Sequence, residues 1–487
     1  MAITLAIDAG TTGVRAFAVD DAGRPVGWEY REFPQHFPRP GWVEHDPMQI
    51  WAAVQATVDA LVARVGPVAA LGITDQRETT VLWNRRTGQP LAPAIVWQDR
   101  RTAGRCEELT ALGYLPLVRR VTGLVLDPYF SATKLSWLLH EGGVTAGPDL
   151  AFGTIDSWLI WQLTGGTVHA TDPSNASRTL LYDIGRLAWS AELCDLFGVP
   201  ASCLPEVRPS SGAFGVVADG PLAGVPVTGV AGDQQAALFG QACIEPGMTK
   251  NTFGTGSFVL MNVGKVCPEP VEGLLTTVAW ALGGTTSYAL EGAVFVTGAA
   301  VQWLRDGLGV IGAASEIGPL AATVPDSGGV AFVPAFTGLG SPWWDPHARG
   351  TVVGLTRGSG RAQLARAVVD AMAYQTRDVV DAMAAASARP VSCLRVDGGA
   401  SAMDLLLQVV ADQVDVRVDR ARVQETTALG AAYLAGLGAG HWASPEEVAR
   451  RWELDRTFTP TGDRDAADAG YAQWRRAVER SRAWAAR

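Results

Sequence analysis

Ile3-Thr-Leu-Ala-Ile-Asp8-Ala-Gly-Thr-Thr-Gly13-Val-Arg-Ala-Phe-Ala-Val19 is a stretch in which an apolar run breaks into a glycine–threonine turn and resumes as an alternating run. This pattern reads as strand, tight turn, strand. A second segment of the same design, Lys250-Asn-Thr-Phe-Gly-Thr-Gly-Ser-Phe-Val-Leu-Met-Asn262, lies about half a chain further on. Gly10-Thr-Thr-Gly13 and Gly254-Thr-Gly-Ser257 are 244 residues apart in a chain of 487. Either turn alone reads most simply as an ordinary hairpin with glycine in it. Two at this separation imply an internal duplication, with one phosphate-type turn in each half. The expected architecture is α/β, in two domains of residues 1–243 and 244–487 around a central cleft. No linker or low-complexity stretch separates them near Gln241-Ala-Cys-Ile-Glu-Pro246, so a broad shared interface is expected.

Composition narrows the functions open to such a chain. Apolar residues make up 48% and charged residues 18%, which suits packed globular domains. A net charge of −10 disfavours a nucleic-acid partner. The amino terminus has no basic region ahead of its apolar run, and no apolar stretch approaches membrane-spanning length, so neither a signal peptide nor membrane insertion is expected. The cysteines, Cys106, Cys194, Cys203, Cys243, Cys267 and Cys393, form no Cys-x-x-Cys pair and read as reduced thiols of a cytoplasmic protein. Histidines show no zinc-ligand spacing. Lys134, Lys250 and Lys265 are the only lysines, and none supplies a Walker A motif, so any phosphate here is bound by another device.

Several short strands end in polar clusters, the usual place for ligands in α/β proteins. Leu71-Gly-Ile73 runs into Thr-Asp-Gln-Arg77-Glu78, Ile95-Val-Trp97 into Gln-Asp-Arg-Arg, and Val225–Val230 into Ala-Gly-Asp233-Gln-Gln. Asp8, at a strand end, can hold Mg²⁺ through its waters beside substrate phosphates. Asp233 reads either as a helix N-cap or as a general base toward an acceptor hydroxyl. Arg77 and Glu78 together donate and accept, as a polyol requires, or form a surface ion pair. Trp97, Tyr129 and Phe258 read as core aromatics. Leu394-Arg-Val-Asp397-Gly398-Gly399 breaks from strand to helix through a double glycine that could admit a flat or anionic ligand. Asp46-Pro-Met-Gln49 predicts a capped helix with a capping box and a buried face of Ile50, Val54, Val58, Leu61 and Val65.

Longer strings point to a family. Asp8-Ala-Gly-Thr-Thr12, Gly72-Ile-Thr-Asp-Gln-Arg77-Glu78-Thr-Thr80 and Ala94-Ile-Val-Trp97-Gln-Asp-Arg-Arg101 resemble the FGGY carbohydrate kinases. So do Asp127-Pro-Tyr129-Phe-Ser131, Gly229-Val-Ala-Gly-Asp233-Gln-Gln-Ala-Ala-Leu-Phe-Gly-Gln241, Asn251-Thr-Phe-Gly-Thr-Gly256, Ala289-Leu-Glu-Gly-Ala-Val-Phe295, Phe336-Thr-Gly-Leu-Gly-Ser-Pro342 and Gly430-Ala-Ala-Tyr-Leu-Ala-Gly436. The resemblance runs from end to end and is strongest to members that phosphorylate glycerol.

It implies an actin-like fold of two ribonuclease-H-like domains, and ATP- and Mg²⁺-dependent conversion of glycerol to sn-glycerol 3-phosphate. Asp233 would be the catalytic base and Asp8 the magnesium-associated residue. Arg77, Glu78, Tyr129, Asp233 and Gln234 would bind the hydroxyls, with Trp97 and Phe258 against the carbon chain. Thr11, Thr12, Arg15, Thr255, Gly298, Gln302 and Gly399 would contact the nucleotide. Self-association as a dimer or tetramer is implied as well.

Ala9, Gly13 and Asp75 depart from the family pattern, with modest effects expected. Met403 replaces an adenine-side asparagine whose contact is lost or passes to Asp404. Val216-Val-Ala-Asp-Gly-Pro-Leu-Ala-Gly224 lacks the arginine that binds fructose 1,6-bisphosphate in some relatives, and Ala213-Phe-Gly215 stands where others carry a phosphorylated histidine segment. Neither control is expected. The alternatives are a sister kinase for another small polyol or ketose, and a non-catalytic actin-like sugar sensor.

Overall fold

Gly10 and Gly254 sit at the same point of two sheets built to one plan in a computed structural model. The structure describes residues 2–462 and 464–485; Met1, Asp463, Ala486 and Arg487, which fall within the two expected domains, lie outside the described residues. In the first half, β1 (Ile3–Ala9), β2 (Gly13–Val19), β3 (Pro25–Glu32), β4 (Val68–Asp75) and β5 (Val227–Gly232) form a sheet of order β5-β4-β1-β2-β3. β1, β2 and β3 run antiparallel, while β1, β4 and β5 run parallel.

The second half repeats this order with a strand added at each edge. Its strands are β6 (Met248–Phe253), β7 (Ser257–Gly264), β8 (Leu275–Leu282), β9 (Thr285–Val294), β10 (Cys393–Asp397), β11 (Val418–Ala421) and β12 (Leu454–Phe458). They are arranged β8-β9-β7-β6-β10-β11-β12. β6, β7 and β9 repeat the antiparallel trio, and β6, β10 and β11 the parallel one. β3 is a largely exposed edge strand, whereas its counterpart β9 is covered by β8 and buried over most of its length.

Helices cover the sheets where the apolar periodicity says they should. α1 (Pro47–Val65) starts where Asp46 accepts the Met48 N–H, with Pro47 in the first turn. Ile50, Val54, Val58 and Leu61 are buried as predicted, and Val65 is half-buried. The expected capping box does not close: the Gln49 carboxamide lies 3.4 Å from the His36 ring instead. α2 (Ser131–His140), α3 (Asp233–Gly240), α4 (Gly298–Gln302), α5 (Arg361–Ser387), α6 (Asp404–Val414) and α7 (Thr426–Gly438) complete the elements that frame the cleft.

The halves interlock through α7, which belongs to the second half by sequence but packs on the first sheet. Its glycines and alanines let backbones touch. A Cβ on Gly430 would lie 1.9 Å from the Ala236 carbonyl of α3, and one on Gly72 of β4 would lie 2.3 Å from the Ala431 carbonyl. A side chain at Gly430 would wedge α7 off α3, and one at Gly72 would wedge it off the sheet.

Candidate active site

Three strand ends and two turns converge between the sheets. β4 ends at Asp75 and delivers Arg77 and Glu78, both buried. Glu78 holds φ at 63°, a left-handed conformation costly for a side chain of this kind. β5 ends at Gly232, and Asp233 follows as the first residue of α3. Gly232 is therefore the cap, and the N-cap reading of Asp233 is corrected. The Asp233 carboxylate accepts the Gln234 N–H at 2.7 Å, faces Arg77 Nε at 3.1 Å, and keeps 28% of its side chain exposed to the cleft. Burial raises its pKa above the usual carboxylate value, with Arg77 and Lys250 opposing the rise.

Arg77 is gripped on every edge. Its guanidinium donates to Glu291 at 2.6 and 3.1 Å, to Tyr129 Oη at 3.1 Å and to Gln235 at 3.2 Å, and passes 3.7 Å from Glu78. Arg178 donates to Glu78 at 2.7 Å and to Glu291 at 2.9 Å. Lys250 Nζ donates to Gln234 Oε1 and, at 2.9 Å, to Thr252 Oγ1. Three cations (Arg77, Arg178, Lys250) thus face three carboxylates (Glu78, Asp233, Glu291), a balance that makes a dense buried cluster tolerable. Burial would push the Glu291 pKa up, but Arg178 and Arg77 outweigh it and bring it to about 2. Burial pulls Lys250 down to about 8.

The aromatic residues close the other side. Trp97 and Phe258 meet edge to face at 6.3 Å between centroids, and Trp97 and Tyr129 at 5.6 Å. Trp97 and Phe258 are half-buried, so both present ring surface to the cleft. Of the predicted 95–97 strand only Ile95 is in a strand, Ala94–Ile95, which frees Trp97 to turn inward. Its indole N–H donates to Thr11 Oγ1 at 2.9 Å, tying this side of the site to the first turn. Tyr129 is fixed from behind by buried Lys134 on α2, whose ammonium donates to the carbonyls of Pro128, Tyr129 and Phe130 at 3.1, 2.6 and 2.8 Å.

The turns form the remaining wall. Thr12 and Thr255 are exposed, and Thr11 is half-buried. Gly298 opens α4 against the second turn, with its N–H on the Gly254 carbonyl at 3.1 Å and no room for a Cβ, which would lie 2.5 Å from that oxygen. Gln302 is exposed at the end of α4. Gly399 faces open space, but the double glycine enters a 3₁₀ turn, Gly399–Ala402, rather than a helix; α6 begins only at Asp404. Asp404 is paired with Arg420 and Arg456. Arg15 is paired with Glu425 from the second half, with its guanidinium over Trp28 and Tyr30.

Asp8 is half-buried beside the first turn, and burial pushes its pKa up to about 7, with Asp233 and Glu425 adding and Arg15 opposing. Asp75 sits behind Asp233 with one carboxylate oxygen unpartnered. Burial, then Asp156 and Asp233, raise its pKa well above the ordinary carboxylate value. A cavity of about 600 Å³ bounded by Arg101, Arg105, Trp137 and His140 lies elsewhere, and its arginines are already paired with Asp99 and Glu108.

Residues 3–240 match the N-terminal domain, and residues 249–439 the C-terminal domain, of the FGGY family of carbohydrate kinases. The chain belongs to that family. Among FGGY proteins it is 55% identical to glycerol kinase of Symbiobacterium thermophilum, over 99% of each chain, and 54% identical to glycerol kinase of Aromatoleum aromaticum, over the whole of both. Its fold superimposes on the crystal structure of Plasmodium falciparum glycerol kinase with ADP at a TM-score of 0.93, with 33% identity and 99% and 98% of the two chains covered. The two-domain FGGY fold expected from the sequence is therefore present.

Within this FGGY site, reading the sequence missed Arg178, Gln235, Lys250 and Glu291. Glu291 lies inside a string that already carried the family resemblance, and Lys250 beside another. The signal for Glu291 was a charged residue in the apolar part of a strand, where an unpaired charge is too costly to persist.

Proposed function

We propose that this chain transfers the γ-phosphoryl group of ATP to a terminal hydroxyl of glycerol, giving sn-glycerol 3-phosphate and ADP. The observation that carries the reading is the convergence of Arg77, Glu78, Tyr129, Asp233 and Gln234 in the cleft beside the Trp97–Phe258 pair. A three-carbon polyol offers hydroxyls to the first set and a thin carbon edge to the second. Two rings and a saturated set of polar partners leave little space for a longer sugar. The identity to proteins named glycerol kinase supports the same acceptor.

In this reading Asp233 accepts the proton of the attacking hydroxyl, the hydroxyl oxygen bonds to the γ-phosphorus, and the bond to the bridging oxygen breaks, releasing ADP. Burial makes Asp233 a stronger base than a free carboxylate, and the charges of Arg77 and Lys250 limit that rise. Glu78 and Tyr129 orient the acceptor, with Tyr129 held by Lys134. Thr11, Thr12 and Arg15 line one phosphate turn, Thr255 and Gly298 the other, and Gln302 and Gly399 the nucleoside side.

No group of three or more acidic, histidine or cysteine side chains among the described residues could enclose a metal alone. Mg²⁺ takes one or two carboxylates beside substrate phosphates. Asp8 fits that part, since a neighbouring cation would relieve the burial and the acidic neighbours that raise its pKa. When bound, the ion neutralises charge on the transferring phosphates.

Domains of 1–243 and 244–487, closing over the cleft to exclude water, are part of the proposal, as are self-association and a cytoplasmic location. Among the described residues no helix is long and apolar enough to cross a membrane. The test is ADP release with Mg-ATP against glycerol, glyceraldehyde, dihydroxyacetone, erythritol and xylulose. Glycerol is expected to give the highest kcat/KM; preference for a longer acceptor makes the chain a sister kinase, and no ADP above background leaves a sensor.

A further inference from the structure

We infer that Glu291 is a positioning residue for the acceptor clamp, through which the second half of the chain sets the geometry of Arg77 and Arg178 in the first. The inference rests on the proposed polyol site and extends it to a side chain that does not line the pocket. Glu291 is fully buried in the middle of β9, opposite Leu260 of β7 and Leu275 of β8. A carboxylate in that position is expensive unless both oxygens are satisfied. Both are: Oε2 accepts from Arg77 at 2.6 Å, and Oε1 from Arg77 at 3.1 Å and Arg178 at 2.9 Å.

Holding the terminal nitrogens of Arg77 at the back of the site has a consequence at the front. Arg77 Nε faces Asp233 at 3.1 Å, and the same guanidinium passes 3.7 Å from Glu78. Both carboxylates belong to the clamp, and both attract Arg77. Glu291 anchors the far edge of the guanidinium, so Arg77 stands beside the pocket rather than across it. Arg178, oriented by the same Oε1, in turn holds one oxygen of Glu78 at 2.7 Å, while the other has no partner among the described residues and remains for a hydroxyl. Planar two-point recognition of this kind fixes direction as well as charge. β3, the counterpart of β9 in the first sheet, is an exposed edge and carries no such group inward.

The test compares Glu291→Gln and Glu291→Asp with the unaltered chain, reading KM for acceptor, KM for ATP, kcat and thermal midpoint. Glu291→Gln keeps the shape but loses the charge; KM for glycerol is expected to rise about tenfold or more, against at most about threefold in KM for ATP. Glu291→Asp keeps the charge but shortens the reach, and is expected to fall between the two. An unchanged glycerol KM in folded Glu291→Gln overturns the inference. So does a parallel change in both KM values that follows the thermal midpoint, because that is the mark of a merely structural ion pair. Should Glu291→Gln fail to fold, Arg178→Lys replaces the two-point contact with a single one; a selective rise in acceptor KM supports the inference and its absence overturns it. If the unaltered chain prefers another acceptor, the functional reading fails, and the same constants are read with that acceptor.

Discussion

At the proposed acceptor end of the cleft the wall is charged: Arg77 and Glu78, backed by Arg178 and Glu291, all buried and facing one another. At the proposed nucleotide end it is backbone and hydroxyl, with Gly10, Gly254, Gly298 and Gly399 beside Thr11, Thr12 and Thr255. The first kind of wall discriminates by geometry, because each buried charge left unpaired is heavily penalised. The second accepts any phosphate that can reach its N–H groups and is specific mainly through close approach. The two ends should therefore fail differently: side-chain removal damages the acceptor end, and adding a single Cβ damages the nucleotide end.

The largest break is expected at Asp233, where Asp233→Asn removes the base while keeping its size. A loss of about 10²–10⁴ in kcat is expected, with nucleotide affinity little changed, as read by turnover and by direct nucleotide titration. Near-normal turnover would leave Asp233 a structural residue of α3. The same residue sets the pH profile. The base must be ionised, and burial raises its pKa, so kcat/KM should climb with pH through a limb lying above the ordinary carboxylate range. A limb at or below that range would contradict the burial argument.

Gly298→Ala tests the opposite wall. The new methyl would lie 2.5 Å from the Gly254 carbonyl, a backbone atom that can yield only by moving the turn. A displacement of that order can cost up to about 10²-fold, expected here chiefly in KM for ATP and not for glycerol. If both constants shift alike, the two ends are not independent and the contrast between them is weaker than drawn.

The contrast also explains what was legible in the sequence. The duplicated turns could be read because glycine and threonine next to apolar strands leave a local pattern, and the duplication then predicts two similar sheets. The acceptor cluster could be read only in part. Arg77, Glu78 and Asp233 follow strand ends, where ligands gather, but Arg178 and Glu291 reach the site from positions 101 and 214 residues beyond Arg77. No local pattern encodes a contact at that range. Of the two readings of Asp233, the cap fails because Gly232 already occupies the cap position, leaving the aspartate one residue inside the helix. The double glycine was misread as a helix start because a 3₁₀ turn intervenes before Asp404. Asp404, expected as an alternative for the adenine side, is paired with Arg420 and Arg456, partners no local pattern announces.

The smallest expected effect lies where the two walls meet. Trp97 meets Phe258 of the proposed acceptor end with its ring, and its indole N–H donates to Thr11 Oγ1 of the proposed nucleotide end at 2.9 Å. Trp97→Phe keeps an aromatic surface against Phe258 and Tyr129 but deletes that hydrogen bond. A hydrogen bond of this type is worth about 0.5–1.5 kcal/mol net, so changes of about two- to tenfold are the natural scale. If Trp97 acts only as a wall for the carbon chain, the change falls on KM for glycerol. If its N–H also holds Thr11 in place for the phosphates, KM for ATP rises as well, and a second substitution, Thr11→Ala, should add little to the ATP effect already present in Trp97→Phe. We expect this second pattern, because in the structure the same indole touches both sides of the cleft; full additivity of the two substitutions in KM for ATP would separate the walls after all.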